Sequence, residues 1–138
     1  MTVLRLIDTS VWIGALDRQG NVAIRETVRG MLDRSEAVIC SPVVFEVLRG
    51  LGESGEFETV QGHLAKLTSL PVDWLEAARW ASQPPVKPLK IKAMDLLIAH
   101  TAFVHDAVLV HADADFDRLA GFVPLQTESY VSAVRRTS

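Results

Sequence analysis

The chain has 138 residues, of which 49% are hydrophobic and 22% charged, with a formal net charge of −3. These values are typical of one globular domain over residues 1–138. The longest uncharged apolar stretches are well short of the roughly 20 residues of a membrane helix, and the first residues lack the pattern of a signal peptide. Cys40 is the only cysteine, which excludes an intrachain disulfide and suits a reducing cytoplasm. The acidic balance is unlike that of a nucleic-acid binder, so any such contact must come from local basic patches.

The first part of the chain alternates β-rich runs with amphipathic segments. In chain order we predict a strand over residues 3–7, helices over 9–17 and 21–35, a strand over 37–40 and a helix over 41–50. Ser41 is the predicted N-cap of the last of these helices, with Pro42 at its first position. Gly50 is its predicted stop.

The second part continues the alternation. We predict a helix over 55–68, a brief strand over 69–73 and a helix over 73–82 that is capped by Asp73. An irregular proline-rich segment over 83–92 follows, and then a helix over 93–105 and a strand over 107–110. The chain is predicted to end with a short helix within 113–122, an edge strand over 123–125 and a terminal helix over 127–136. The helix over 93–105 is apolar almost all round, as expected of a helix inside the core.

Strands that alternate with helices predict a parallel sheet covered by helices on both faces. In such sheets ligands bind beyond the carboxyl ends of the strands. Asp8 and Asp113 lie at two predicted strand ends. Glu46 follows the second strand by about one helical turn, and Asp95 lies in the first turn of the apolar helix. We therefore expect these acids to converge on one cleft.

Each acid also has an ordinary structural explanation. Asp8 could cap the helix that follows it, and Glu46 could pair with Arg49 one turn further on. The N-terminal charge of a helix could stabilise Asp95. Aspartates are also common in turns, and three follow the strand over 107–110: Asp113, Asp115 and Asp117.

The joint pattern favours a metal site. Like charges in one partly buried site repel unless a cation neutralises them. Carboxylate oxygens on a rigid sheet edge suit Mg²⁺ or Mn²⁺. His100, His105 and His111 are too scattered to form a zinc signature. The sequence also lacks a glycine-rich phosphate loop and a G-x-S-x-G elbow.

Four segments carry a family resemblance: LIDTSVWI, SPVVFEVLRG, KAMDLLIAHTA and VLVHADADFDRLA. In this order and at these spacings, they resemble the PIN-domain ribonucleases, most closely the VapC-type toxins of bacterial toxin–antitoxin pairs. The resemblance spans nearly the whole chain. It implies a three-layer α/β/α sandwich with a central parallel sheet, which binds Mg²⁺ or Mn²⁺ and hydrolyses phosphodiester bonds in RNA.

The resemblance also implies roles for individual residues. It carries catalytic and metal-binding roles over to four acids: Asp8, Glu46, Asp95 and Asp113. Asp115 matches as a further metal ligand, and Thr9 and Ser10 match hydroxyl residues that we assign to substrate binding. One departure from the family pattern is His111, where the family often has Thr or Ser.

Partners are implied in the same way. The resemblance implies a homodimer, an antitoxin of the VapB type and an RNA substrate, which we expect to be single-stranded because its backbone and bases are accessible. We assign Lys92 and Arg118 as phosphate contacts, and Lys87 and Lys90 lie on the same loop as Lys92. Two aromatic residues are candidates for docking a partner: Trp74 and Trp80.

Two other acid-rich α/β classes fit poorly. A haloacid-dehalogenase-type phosphatase needs a second aspartate two residues after the first, where this chain has Ser10. A response-regulator receiver needs an acidic pair at the first strand, but Asp8 has no acidic neighbour. The remaining alternative is a catalytically silent PIN-like module that binds RNA or protein. Metal-dependent RNA cleavage would distinguish a ribonuclease from such a module.

Overall fold

A computed structural model describes residues 3–17 and 20–133 of the chain. Its sheet has five strands: β1 (Arg5–Ile7), β2 (Ala37–Ile39), β3 (Thr68–Ser69), β4 (Val108–His111) and β5 (Thr127–Ser129). Their order is β3-β2-β1-β4-β5, and every pairing is parallel. The predicted parallel sheet is therefore confirmed, with β1 at its centre.

Helices flank the sheet, which confirms the predicted α/β/α class. They are α1 (Thr9–Leu16), α2 (Val22–Asp33), α3 (Ser41–Leu51), α4 (Phe57–Leu64), α5 (Trp74–Ala81), α6 (Ala93–Val104) and α7 (Ala114–Ala120), with one 3₁₀ turn at Lys87–Leu89. Among the described residues, no helix is both long enough and apolar enough to cross a membrane.

The central elements are buried on all sides. Leu6 and Ile7 of β1 and Leu109 of β4 are completely buried, as are Ile98 and Ala99 of the apolar helix α6. Burying a Leu or Ile side chain stabilises a fold by about 1.5–3 kcal/mol relative to exposing it. This packing holds the carboxyl ends of β1 and β4 rigidly side by side, because the two strands pair in register from Arg5–Val108 to Ile7–Val110.

Two predictions at the edges of the sheet are wrong. The last strand is β5, not residues 123–125, where Pro124 has no N–H for a ladder and Val123 and Leu125 are buried as parts of a loop. The brief strand predicted over 69–73 is the two-residue β3, which starts one residue earlier and ends at Ser69; Leu70 still donates to the Ile39 carbonyl, but Pro71 has no N–H and ends the pairing. The terminal helix predicted over 127–136 is wrong at its start, because residues 127–129 form β5; residues 131–133 are helical and 134–136 lie outside the described residues.

The predicted ends of two helices also differ from those observed. Cys40, not Ser41, is the N-cap residue of α3, and no side chain caps this helix. The helix ends at Leu51, not Gly50, and its C-cap Gly52 adopts a φ of 53°, which glycine tolerates best. α4 is shorter than the predicted 55–68, since residues 65–67 form turns.

Candidate metal centre

The carboxyl ends of the strands bring the predicted acids together. One ligand oxygen from each of Asp8, Glu46 and Asp95 lies within 4.8 Å of the other two. A second group is formed in the same way, with oxygens of Asp95, Asp113 and Asp115 within 4.8 Å of one another. Asp95 belongs to both groups. The site is thus a continuous acidic cluster built from β1, α3, α6 and the start of α7.

Asp8 caps a helix and also presents a free oxygen. Its Oδ2 accepts hydrogen bonds from the Ser10 backbone N–H at 3.1 Å and from the Ser10 hydroxyl at 2.6 Å. Its Oδ1 is buried and accepts no hydrogen bond from any residue that the structure describes. Leaving such an acceptor unpaired costs about 1–3 kcal/mol. Burial, with a smaller contribution from Glu46, raises the pKa of Asp8, while the bonds from Ser10 oppose this shift. The capping explanation of Asp8 and the metal-site explanation are therefore compatible.

Two hydroxyl groups hold the first acidic group in place. The Ser10 hydroxyl, besides donating to Asp8, accepts the backbone N–H of Ala112 at 3.0 Å, which joins the end of β1 to the segment after β4. The Thr9 hydroxyl donates to Glu46 Oε1 at 2.9 Å. Both predicted hydroxyl residues thus contact acids of the cluster.

Asp95 carries the clearest electrostatic signature. Its side chain lies in the first turn of α6 and is only 9% exposed. Burial raises its pKa to about 7, with further contributions from Asp8, Asp113 and Glu46, whereas Lys92 lowers it. The cluster therefore holds more negative charge than its surroundings neutralise. An all-carboxylate donor set and an unpaired buried oxygen fit a hard divalent cation.

The second acidic group is tied to a nearby cation. Asp113 is the N-cap of α7, and its side chain accepts the Asp115 backbone N–H at 2.9 Å. Asp115 accepts a 3.2 Å hydrogen bond from Arg118, which also donates to the Leu89 carbonyl at 3.0 Å. Arg118 thereby anchors the loop before α6 to α7, next to the acids.

Glu46 does not pair with Arg49. Within the described part of the chain no ion pair joins them, and the Arg49 guanidinium lies over the Phe45 ring, 5.8 Å from its centroid. Glu46 instead accepts from Thr9. This removes the ordinary structural explanation that the sequence allowed for Glu46.

The remaining predicted residues lie outside the cluster. Lys92 precedes α6 and its side chain is exposed, as are Lys87 and Lys90. Trp74 is 59% exposed, as expected of a docking residue, whereas Trp80 is partly buried and stacks on Phe103 with ring centroids 6.4 Å apart.

The sequence did not reveal two contacts at the site. The Ser10–Ala112 bond involves a backbone N–H that only the pairing of β1 with β4 brings near. His111 is completely buried at the end of β4, and its Nδ1 accepts the Asp113 backbone N–H at 3.2 Å. In the sequence, His111 stands out only as a departure from the family pattern, and that departure does not indicate which residues its ring contacts.

Known proteins resemble this chain in sequence. The PIN domain model matches residues 5–122. The chain is 35% identical over 137 residues to VapC ribonuclease Mb1587 of Mycobacterium bovis, an alignment that covers 91% of this chain and 98% of that relative. It is equally similar, with the same coverage, to ribonuclease VapC11 of Mycobacterium tuberculosis.

Solved structures agree in fold. VapBC2 from Rickettsia felis, bound to a DNA fragment from its promoter, superposes with a TM-score of 0.68 at 20% identity, over 92% of this chain and 98% of that one. FitAcB from Neisseria gonorrhoeae gives a TM-score of 0.67 at 18% identity, over 90% and 96% of the two chains. The chain therefore belongs to the PIN-domain family, and within that family its relatives at 35% identity are VapC ribonucleases.

Proposed function

We propose that this protein is a divalent-metal-dependent endoribonuclease and the toxin of a type II toxin–antitoxin pair. The proposed metal dependence is supported chiefly by the buried Asp8 Oδ1. This oxygen has no hydrogen-bond partner among the described residues, and Asp8 lies in a group with Glu46 and Asp95. The ribonuclease part is supported by the names and coverage of the VapC relatives.

Mg²⁺ or Mn²⁺ is the proposed cofactor. Asp8 and Asp95 would be the principal ligands, with Glu46 completing the first group and Asp113 and Asp115 the second. When bound, such an ion supplies Lewis-acid chemistry: it neutralises charge on the phosphate and makes water a usable nucleophile near neutral pH.

The chain's own residues would position the reactants. Glu46, whose Oε1 accepts the Thr9 hydroxyl, would orient the attacking water and accept its proton. Ser10 fixes the direction of the Asp8 carboxylate. Lys92 and Arg118 would contact the phosphate backbone of single-stranded RNA, because they are the cations next to the acids.

The proposed partners follow from the relatives. The structures that share this fold include VapBC assemblies, and we propose a VapB-type antitoxin and a homodimer for this chain. Trp74 is the described exposed aromatic that best fits a contact of this kind.

Expression in bacteria tests this proposal. The chain expressed alone should stop growth and produce new RNA 5′ ends at a restricted set of sites, and co-expression of the neighbouring small gene should suppress both. The alternative, a catalytically silent module, predicts no new RNA ends even where growth slows. Asp95→Asn serves as the matched inactive variant, because it keeps the shape of the side chain.

A further inference from the structure

His111 is a buried polar residue that the proposed chemistry leaves without a role. It is the last residue of β4 and is completely buried, with its ring centroid 5.1 Å from that of Phe116. An imidazole inside an apolar core is unfavourable unless its two nitrogens find partners. Its contacts therefore indicate what keeps it there.

One ring nitrogen holds the turn that precedes α7. Nδ1 accepts the backbone N–H of Asp113 at 3.2 Å, two residues along the chain. This spacing is that of an Asx turn, in which a side chain stands in for a backbone acceptor. Because Nδ1 is the acceptor, the proton of the neutral ring lies on Nε2.

The other ring nitrogen faces a carboxylate. Nε2 is buried and makes no aligned hydrogen bond within the described chain, but Asp117 Oδ1 lies 3.4 Å away. Asp117 is 45% exposed, so a small movement of its side chain can complete this contact. Its Oδ2 accepts the Ser129 hydroxyl at 3.2 Å, which ties it to β5. The ring is thus held between β4, α7 and β5.

We propose that His111 is a positioning residue for Asp113, and that Asp117 orients the His111 ring and is not itself a metal ligand. The turn fixed by Nδ1 contains Asp113, whose carboxylate caps α7 through the Asp115 N–H. Loosening the turn would therefore misplace the second acidic group. The inference rests on the proposed metal site, because the position of the Asp113 carboxylate can affect metal binding only if Asp113 is a ligand.

A pair of substitutions isolates the Nδ1 contact. His111→Asn keeps an acceptor that can form the Asx turn, whereas His111→Leu fills similar volume without one. His111→Leu should weaken Mn²⁺ binding about tenfold by calorimetry, as loss of a group that orients a ligand does, and His111→Asn should stay within about threefold of wild type. His63→Leu, on the exposed face of α4, is the control and should leave Mn²⁺ affinity unchanged. Equal affinity in the Leu and Asn variants would overturn the proposal.

A second pair of substitutions, at Asp117, tests the proposal even if His111→Leu does not fold. Asp117→Asn keeps an oxygen for His111 and should bind Mn²⁺ nearly as wild type, whereas Asp117→Ala should bind it several-fold more weakly. Equal weakening in both would make Asp117 a ligand and contradict the proposal.

Nuclear magnetic resonance tests the geometry without metal or RNA. The ¹⁵N shifts of the His111 ring should show the Nε2–H tautomer, and amide exchange at Asp113 should be faster in Asp117→Ala than in wild type. The Nδ1–H tautomer in the wild-type protein would overturn the proposal. These readouts do not depend on RNA cleavage, so a protein that fails to cut RNA would refute the proposed function while the role of His111 is judged separately.

Discussion

The Thr9 hydroxyl donates a 2.9 Å hydrogen bond to Glu46 Oε1, and this bond joins the start of α1 to α3. The bond therefore holds the Glu46 side chain, on α3, toward the end of β1, where Asp8 lies. A glutamate with several rotatable bonds is ordered here by one neutral donor, so its charge is not neutralised by the contact. That is the arrangement a proton acceptor or metal ligand needs.

Glu46→Gln should greatly reduce RNA cleavage with little effect on stability. Glutamine keeps an oxygen that can accept from Thr9, so the melting temperature should change little. RNA cleavage should fall by about 100-fold or more, in the range expected for the loss of a general base. Glu58→Gln, an exposed acid in the first turn of α4, is the matched control and should cut RNA normally. Wild-type cleavage by Glu46→Gln would show that Glu46 has only a structural role.

Asp8→Asn and Asp95→Asn should weaken metal binding. Each removes one carboxylate from the first acidic group, and we expect Mn²⁺ affinity to fall at least about tenfold in calorimetric titrations. Asp73→Asn is the control for Asp8, because Asp73 is also an N-cap aspartate, accepting the Glu76 N–H at 3.0 Å, but lies outside the cluster. The assignment fails if all the variants bind Mn²⁺ as tightly as the wild-type protein does.

The elevated pKa of Asp95 predicts a pH-dependent stability in the metal-free protein. Its folded-state pKa of about 7 exceeds that of an unfolded aspartate, near 3.9, so the native state binds more protons in this interval. The contribution of Asp95 is therefore fully present below about pH 4 and is lost as the pH rises through about 7.

Urea unfolding with a chelator measures this contribution. Relative to Asp95→Asn, the wild-type protein should lose stability as the pH rises from about 4 to about 7, and Mn²⁺ should restore it at the higher pH. A difference between the two proteins that does not change with pH would contradict the raised pKa.

The sequence predicted the parallel sheet and the convergence of the acids because both follow from strong local signals. Buried β-rich runs mark β1 and β4, and parallel pairing then places the residues after them, Asp8 and Asp113, at one edge. The edge strand β5 falls at the start of the helix predicted over 127–136, because the polar residues Thr127–Ser129 give no strand signal, whereas the apolar residues 123–125, which form a buried loop, do.

Contacts that depend on tertiary structure could not be predicted. Ser41 is a better cap than Cys40 by propensity, yet α3 begins one residue earlier because buried Cys40 continues from β2 in an extended conformation. Arg118 was assigned to the substrate from its charge alone. Its bond to the Leu89 carbonyl, 29 residues away, could be seen only in the fold.

The exposed loop that contains Lys87, Lys90 and Lys92 should supply part of the affinity for RNA. Lys87→Gln with Lys90→Gln removes two exposed cations, and each lost phosphate contact should reduce the slope of log affinity against log salt by roughly 0.7 for single strands. RNA binding is measured across a salt series with Ca²⁺ in place of Mg²⁺. Lys66→Gln, an exposed lysine outside this loop, should leave the slope unchanged. An unchanged slope in the double variant would show that the loop is merely solvated.

Lys92 requires a separate variant. Its positive charge lowers the pKa of Asp95, so Lys92→Gln should raise that pKa further. The same charge repels a cation held by the acids, so the variant should bind Mn²⁺ no more weakly than wild type, and any gain in affinity should be larger at high pH, where Mn²⁺ displaces no proton from Asp95. Mn²⁺ titrations at two pH values test this, and weaker binding by the variant at either pH would contradict it.

The central claim is that the acidic cluster holds a divalent cation on which RNA cleavage depends. The most direct measurement is the rate at which the purified protein cuts a defined single-stranded RNA in the presence of Mn²⁺ and in the presence of a chelator, with Asp95→Asn and Asp73→Asn measured in parallel. We expect cleavage only with Mn²⁺, cleavage by Asp73→Asn at the wild-type rate, and a rate for Asp95→Asn reduced by about 100-fold or more. Equal cleavage by the wild-type protein with and without Mn²⁺, or by wild type and Asp95→Asn, would contradict the claim.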